Sequence, residues 1–131
     1  MTTSATTDRT AVVVLSDPEG GGDEALGRTF NALALALDLD QAGQDVQVIF
    51  QGAGTRWPGR LADPTHPVNG LFESVRHTIA GASCGCAQLF GAEDDVTACG
   101  INLLTDNKVP GTDGVAGLRS LIEDGRRVLL F

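Results

Sequence analysis

Cys84 and Cys86 lie one residue apart in segment 81–91, which is rich in small residues. The hydrophobic pattern places this segment where a strand gives way to a helix, and loops at such junctions carry the chemistry of open parallel α/β sheets. A thiol at a helix N-terminus meets the positive end of the helix dipole, which favours the thiolate. Packing in a core is the alternative role for small apolar cysteines. The pattern favours Cys84 and Cys86 as catalytic, reactive thiols.

The third cysteine, Cys99, precedes Gly100 at a predicted helix end. The negative end of the helix dipole disfavours a thiolate there, so we expect Cys99 to be buried and slow to react. A role as disulfide partner of Cys84 or Cys86 stays open, because the sequence does not give the distances between them.

A metal or nucleotide site is not indicated. The two histidines are His66 and His77, and the C-x-C spacing of the cysteines differs from the C-x-x-C spacing of zinc sites. Glycines 20–22 follow the first strand without forming a dinucleotide or P-loop fingerprint. The neighbouring Glu19 and Asp23 would repel phosphate. We therefore expect neither a metal nor a cofactor.

The composition excludes two classes of partner. The 131-residue chain has a formal net charge of −8 and no Tyr, which argues against nucleic-acid binding. No stretch is long and apolar enough to cross a membrane, and the Thr-rich N-terminus lacks the apolar region of a secretory leader. Together with an odd number of cysteines, this predicts a cytoplasmic protein in a reducing environment.

Strands and helices alternate along the chain after a polar N-terminal tail, residues 1–10, that we expect to be disordered. This alternation predicts a single α/β domain over residues 11–131, a three-layer sandwich whose five-stranded, mainly parallel sheet has helices on both faces. The predicted strands are 11–16, 45–50, 82–84, 101–105 and 127–131, and the main predicted helices are 23–42, 67–80 and 115–124, with a broken helical stretch from residue 87.

Three further expectations concern side chains. The spacing of the apolar residues in the first helix predicts a buried face formed by Leu26, Phe30, Leu33 and Leu37. Trp57 and Phe90 lie in a loop and a junction, where we expect them to be exposed and to line a pocket or a subunit contact. Arg56 and Arg60 lie in the same loop as Trp57 and are candidates to activate the cysteines.

The chain resembles the DsrE/DsrF-like family, which includes the TusD and YchN types. The resemblance covers nearly all of residues 11–131 and has three parts. The first is a Val-rich first strand, followed by a Gly-rich turn and a long Ala/Leu helix. The second is a cysteine near the end of the third strand, followed by a helix and Gly-Ile-Asn-Leu-Leu (100–104), and the third is a closing helix, glycine and strand (121–131). Cys84 matches the family's cysteine best, with Cys86 as the alternative.

The resemblance implies a sulfur-relay protein that carries a persulfide between donor and acceptor proteins, without a cofactor. It also implies a homo-oligomer, since members of the family commonly form dimers, trimers or hexamers, and we expect a trimer or hexamer. Two alternatives stay open on the sequence alone. One is a non-catalytic subunit that binds a small ligand or a partner near the cysteines, and the other is a thiol redox protein.

Overall fold

A computed structural model of the protein describes residues 8–131. Residues 1–7, most of the predicted disordered tail, lie outside this range. The first strand begins at Arg9, two residues before its predicted start. The strands are β1 (Arg9–Val14), β2 (Asp45–Phe50), β3 (Ile79–Ser83), β4 (Leu103–Leu104) and β5 (Arg127–Leu130), and the helices are α1 (Gly22–Gln41), α2 (Trp57–Leu61), α3 (Asn69–Val75), α4 (Cys84–Leu89), α5 (Glu93–Ala98) and α6 (Arg119–Glu123).

The five strands form one sheet in the order β4-β3-β2-β1-β5, and every neighbouring pair is parallel. Parallel pairing requires each chain crossover to travel over a face of the sheet. The predicted α/β class, with its parallel five-stranded sheet in a three-layer sandwich, is therefore confirmed. None of the helices among residues 8–131 combines the length and the apolar character that a membrane crossing requires.

The sheet is buried on both faces at its centre. Val12 and Val14 point to one face of β1 while Ala11 and Val13 point to the other, and all four are fully buried. The face of Val12 packs against α1, α2, α3 and α5, with Phe50 and Phe72 as the largest buried side chains. Continuous β-branched runs are typical of strands covered on both sides.

Helix α1 buries a different stripe from the predicted one. Its buried residues are mostly small, whereas Leu26 and Phe30 are 36% and 47% exposed. Small side chains let the helix axis approach the sheet closely, so the larger residues are left at its flank. The prediction was right for Leu33 and wrong for Leu26 and Phe30, and Leu37 is only partly buried; the full buried set is Ala25, Thr29, Ala32, Leu33 and Ala36.

Two connections differ from their predicted forms. Segment 51–64, expected to be a loop, contains a 3-10 helix at Gly52–Arg56 followed by α2. The predicted helix 67–80 ends early, because Ile79 pairs with Val48 in the parallel ladder and starts β3. Pairing with β2 overrides the apolar i, i+4 pattern that continued the helix in the sequence-based prediction.

Candidate functional site

The junction between β3 and α4 is fixed by hydrogen bonds to a distant loop, residues 105–117. The buried Ser83 Oγ accepts a hydrogen bond from the backbone N–H of Ala116 at 2.9 Å. The N–H of Gly85 donates to the carbonyl of Gly114 at 2.8 Å. A Cβ on Gly85 would lie 2.8 Å from Val115 Cγ1, so glycine permits this close approach. The loop therefore covers the first turn of α4, which carries both candidate cysteines.

Cys84 is the first residue of α4 and is only 5% exposed. Its Sγ lies 3.8 Å from Glu93 Oε2. Burial, and then the negative charges of Glu93 and Asp113, raise the pKa of the Cys84 thiol above its usual value. The expectation of an accessible, activated Cys84 is therefore wrong. The helix dipole is present, but desolvation and two carboxylates outweigh an effect of about 0.3–1 kcal/mol.

Cys86 lies on the same helix but is half-buried instead of enclosed. It borders a cavity of about 350 Å³ between α4 and the covering loop, which we call the Cys86 pocket. The pocket walls are small or apolar on most sides. Of the two adjacent cysteines, Cys86 is the one with access to this space; the pocket is lined by Gly85, Cys86, Gln88, Leu89, Gly111, Thr112 and Val115.

Two carboxylates lie beside the Cys86 pocket, hydrogen-bonded to the amide of one residue that lines it. Gln88 Nε2 lies 2.7 Å from Asp113 Oδ2 and 3.0 Å from Glu93 Oε2, and it donates to both. Gln88 itself lines the pocket. Sequence analysis missed these three residues. They come from α4, from α5 and from the covering loop, and no local spacing relates Asp113 to the other two.

Cys99 ends α5 at its C-cap, away from the helix that carries the other thiols. The Cys99 Sγ donates to the carbonyl of Val96 at 3.3 Å, and the Arg76 guanidinium donates to the carbonyl of Cys99 at 2.8 Å. Burial raises the pKa of this thiol too. Cys99 is half-buried, so the expectation of full burial is wrong.

Both histidines are engaged locally. His66 Nδ1 accepts the N–H of Val68 at 3.0 Å, and His77 Nε2 lies 2.8 Å from Asp40 Oδ2. Across residues 8–131, no group of three or more His, Cys, Asp or Glu side chains is arranged to hold a metal ion.

Arg56 and Arg60 do not supply positive charge to the thiols. Arg56 binds Asp17 Oδ1 at 3.1 Å and donates to the carbonyl of Phe90 at 3.2 Å. Arg60 binds Glu19 at 3.0 Å. Both guanidinium groups are therefore committed to acids of the β1–α1 loop, and Arg56 connects that loop to the end of α4.

Trp57 is buried, with 3% of its surface exposed, and its Nε1 donates to the carbonyl of Ser16 at 2.8 Å. The expectation of an exposed Trp57 is wrong, because α2 turns the ring into the core beneath the β1–α1 loop. Phe90 is partly buried, and the Arg56 guanidinium lies 5.3 Å from its ring centroid. Neither ring lines the Cys86 pocket.

Comparison with known proteins adds little to this geometry. No protein family matches the chain, and no solved structure does. Among curated proteins, the chain is 23% identical over 99 residues to the uncharacterized protein MJ0733 of Methanocaldococcus jannaschii, a match that covers 76% of each chain. The site therefore has to be interpreted from its own chemistry.

Proposed function

We propose that the protein is a persulfide carrier of a sulfur relay and that Cys86 bears the sulfur. The observation that carries this proposal is the half-buried Cys86 thiol in the first turn of α4, open to a cavity of about 350 Å³. The resemblance to the DsrE/DsrF-like family, which directs attention to this junction, supports the same function. Cys84, favoured by the sequence, is too enclosed to meet a partner thiol without movement of α4.

The transfer is an exchange between sulfur atoms and uses no cofactor. The Cys86 thiolate attacks the outer sulfur of a donor persulfide, R–S–SH. The new bond joins Cys86 Sγ to that sulfur, the donor S–S bond breaks, and the donor leaves as R–S⁻. In the second half, an acceptor thiolate attacks the outer sulfur of Cys86–S–SH and Cys86 leaves as a thiolate. Such exchange needs access to the sulfur and a thiolate fraction.

The role we assign to Cys84 is positioning. Its protonated thiol faces Glu93 at 3.8 Å, and the carboxylate also accepts from Gln88. This contact ties the start of α4 to the start of α5. Cys84 therefore helps to hold the turn that presents Cys86 and does not itself carry sulfur.

Intact mass after incubation with cysteine persulfide tests the proposal. The wild-type protein gains the mass of one sulfur atom, and a reducing agent removes it. Cys86→Ser abolishes the gain, whereas Cys99→Ser, the matched control in a different helix, retains it. Cys84→Ser retains the gain if it remains folded by circular dichroism. Full loading of Cys86→Ser would overturn the assignment.

A binding function is the second candidate, because a cavity of about 350 Å³ falls within the range of small-ligand sites, roughly 300–1,000 Å³. The same mass experiment separates the alternatives. No mass change with either a sulfur donor or an oxidant favours ligand binding. Loss of two hydrogens on oxidation, without sulfur uptake, favours a thiol redox protein.

We further propose that the carrier works as a homo-oligomer, a trimer or hexamer, in the reducing cytoplasm. Free thiols persist in such a compartment. Exposed apolar side chains on α1 and β5, namely Leu26, Phe30, Leu129 and Leu130, are the surface that supports self-association. Donor and acceptor are proteins that present a reactive cysteine to the Cys86 pocket.

A further inference from the structure

The Cys86 pocket has an apolar rim, and the amide of Gln88, which lines it, binds two carboxylates beside the pocket. Glu93 and Asp113 face Gln88 from two different elements, and the amide holds both carboxylates in place. A smaller neighbouring cavity shares Gln88 and is lined by Glu93 and Asp94. Glu93 and Asp113 are therefore joined to the pocket through Gln88, by contacts that are exposed to solvent.

This negative charge is not neutralised by ion pairing. Over the described range 8–131, no salt bridge includes Glu93 or Asp113. The chain's single lysine, Lys108, lies near enough to act on Cys84 in the opposite direction to the acids. One cation against three acids leaves an excess of negative charge beside the pocket.

The rim supplies an apolar contact. Leu89 lines the pocket and is 78% exposed, the most exposed large apolar side chain among the described residues. It follows Gln88 directly, so the apolar contact lies next to the residue that binds both acids. A partner that covers Leu89 thereby brings its own charges close to Glu93 and Asp113.

We infer that the Cys86 pocket selects its thiol partners by charge, accepting a cysteine on a protein segment that carries Lys or Arg beside an apolar residue and disfavouring anionic thiols. The physical reason is that Glu93 and Asp113, which lie beside the pocket, attract a cation and repel an anion. That these partners are sulfur donors and acceptors rests on the proposed function. The charge preference itself is a property of the pocket and can be measured without any sulfur transfer.

The test uses two methanethiosulfonate reagents of similar size, one with a trimethylammonium group and one with a sulfonate. Each forms a mixed disulfide with Cys86 and releases methanesulfinate. Peptide mass gives the rate at Cys86 in the full-length protein, and each rate is divided by that of the same reagent with 2-mercaptoethanol. The normalised ratio of cation to anion is expected to be about tenfold at low salt and to fall towards one in 1 M salt.

The double variant Glu93→Gln and Asp113→Asn should bring the ratio close to one. The matched control, Asp38→Asn with Glu123→Gln, removes the same charge from the C-terminal turns of α1 and α6. Those turns lie at the other end of the sheet, so the control retains the wild-type ratio. Gln88→Leu should lower the ratio by releasing both carboxylates.

A normalised ratio near one for the wild-type protein, or an equal fall in the control, overturns the inference. Sulfur loading from the zwitterionic cysteine persulfide is then read separately. Loading without charge preference means that only this inference fails. Charge preference without loading means that the relay proposal fails while the pocket still selects cationic partners. If both the relay proposal and the charge preference are correct, a Lys-Cys-Lys peptide accepts sulfur from the loaded protein faster than a Glu-Cys-Glu peptide does.

Discussion

Two thiols of one helical turn have different chemistry because their surroundings differ. Cys84 starts α4, where its side chain lies under the covering loop and faces Glu93, whereas Cys86 borders the pocket. Proximity to a helix N-terminus is common to both residues and therefore does not separate them. Burial and neighbouring charge decide which thiol can react.

Alkylation at neutral pH should label Cys86 first, with Cys84 and Cys99 at least tenfold slower. Burial and the acids raise the pKa of Cys84 above its usual value, so its labelling rate keeps rising at a pH where the rate of an ordinary thiol has levelled off. The unfolded chain loses this proton first, so the same shift lowers stability as pH rises through the usual range of thiol ionisation. Peptide mass against time at several pH values measures each rate.

Faster labelling of Cys99 than of Cys86 would contradict this order. Unfolding in urea is the control, because equal rates for the three cysteines in the unfolded chain show that the folded structure causes the difference.

Ser83 anchors the covering loop through a buried side-chain hydrogen bond. Its buried Oγ accepts the N–H of Ala116, so Ser83→Ala leaves a buried donor without a partner. We expect a loss of about 1–3 kcal/mol in the free energy of unfolding. Urea denaturation followed by the fluorescence of Trp57, the chain's single Trp, measures it. Ser74→Ala, on the exposed side of α3, is the control; an equal loss there would mean that the buried bond is not the cause.

Helix α4 is positioned by the covering loop as much as by β3, the strand before it. Gly85 N–H donates to the covering loop, and the absence of a side chain on Gly85 lets Val115 and Thr112 approach within contact distance. The end of α4 is fixed separately, because Arg56 donates to the Phe90 carbonyl. The helix that presents Cys86 is thus held at both ends by other parts of the chain.

Gly85→Ala should destabilise the protein by about 1–3 kcal/mol, because the added Cβ would lie 2.8 Å from Val115 Cγ1 and displace the covering loop. The rate of Cys84 alkylation should rise as the loop moves away. Gly27→Ala is the contrasting control. It lies inside α1 with open space around its Cβ position, so we expect a gain of roughly 0.5–1 kcal/mol. Equal stability of the two variants would show that the loop adapts without cost.

The elements with a strong local pattern were predictable, and those formed by tertiary contacts were not. Strand β2 has its predicted limits, Asp45–Phe50, because its apolar run is bounded by turn residues. Helix α2 was missed because its sequence, with Pro58 and Gly59, is typical of a loop, and burial of Trp57 stabilises it. The cysteine segment was found from the sequence, but not its acids, since Asp113 lies 25 residues after Gln88.

At the scale of the whole molecule, the two edges of the sheet differ. Strand β4 has two residues, which gives little backbone for another chain to pair with. Strand β5 has four residues and borders solvent, with Leu129 and Leu130 39% and 61% exposed. Phe30 on α1 is also exposed. Among the described residues, four of the eight exposed large apolar side chains therefore lie on β5 and α1, while Cys84 and Cys86 lie at the carboxyl end of β3.

The protein should self-associate through β5 and α1. Sedimentation equilibrium should show self-association at micromolar concentration, because an exposed edge strand with apolar neighbours buries unpaired backbone groups and apolar area when a second copy covers it. The resemblance to the DsrE/DsrF-like family implies a trimer or hexamer. Phe30→Glu combined with Leu130→Lys should yield a folded monomer, whereas Leu89→Lys at the Cys86 pocket should leave the assembly intact. A monomeric wild-type protein would show that no such contact forms. Dissociation by Leu89→Lys alone would place the contact at the Cys86 pocket instead. Sulfur loading of the monomeric variant then shows whether each Cys86 pocket works independently, as expected for a site built entirely from one chain.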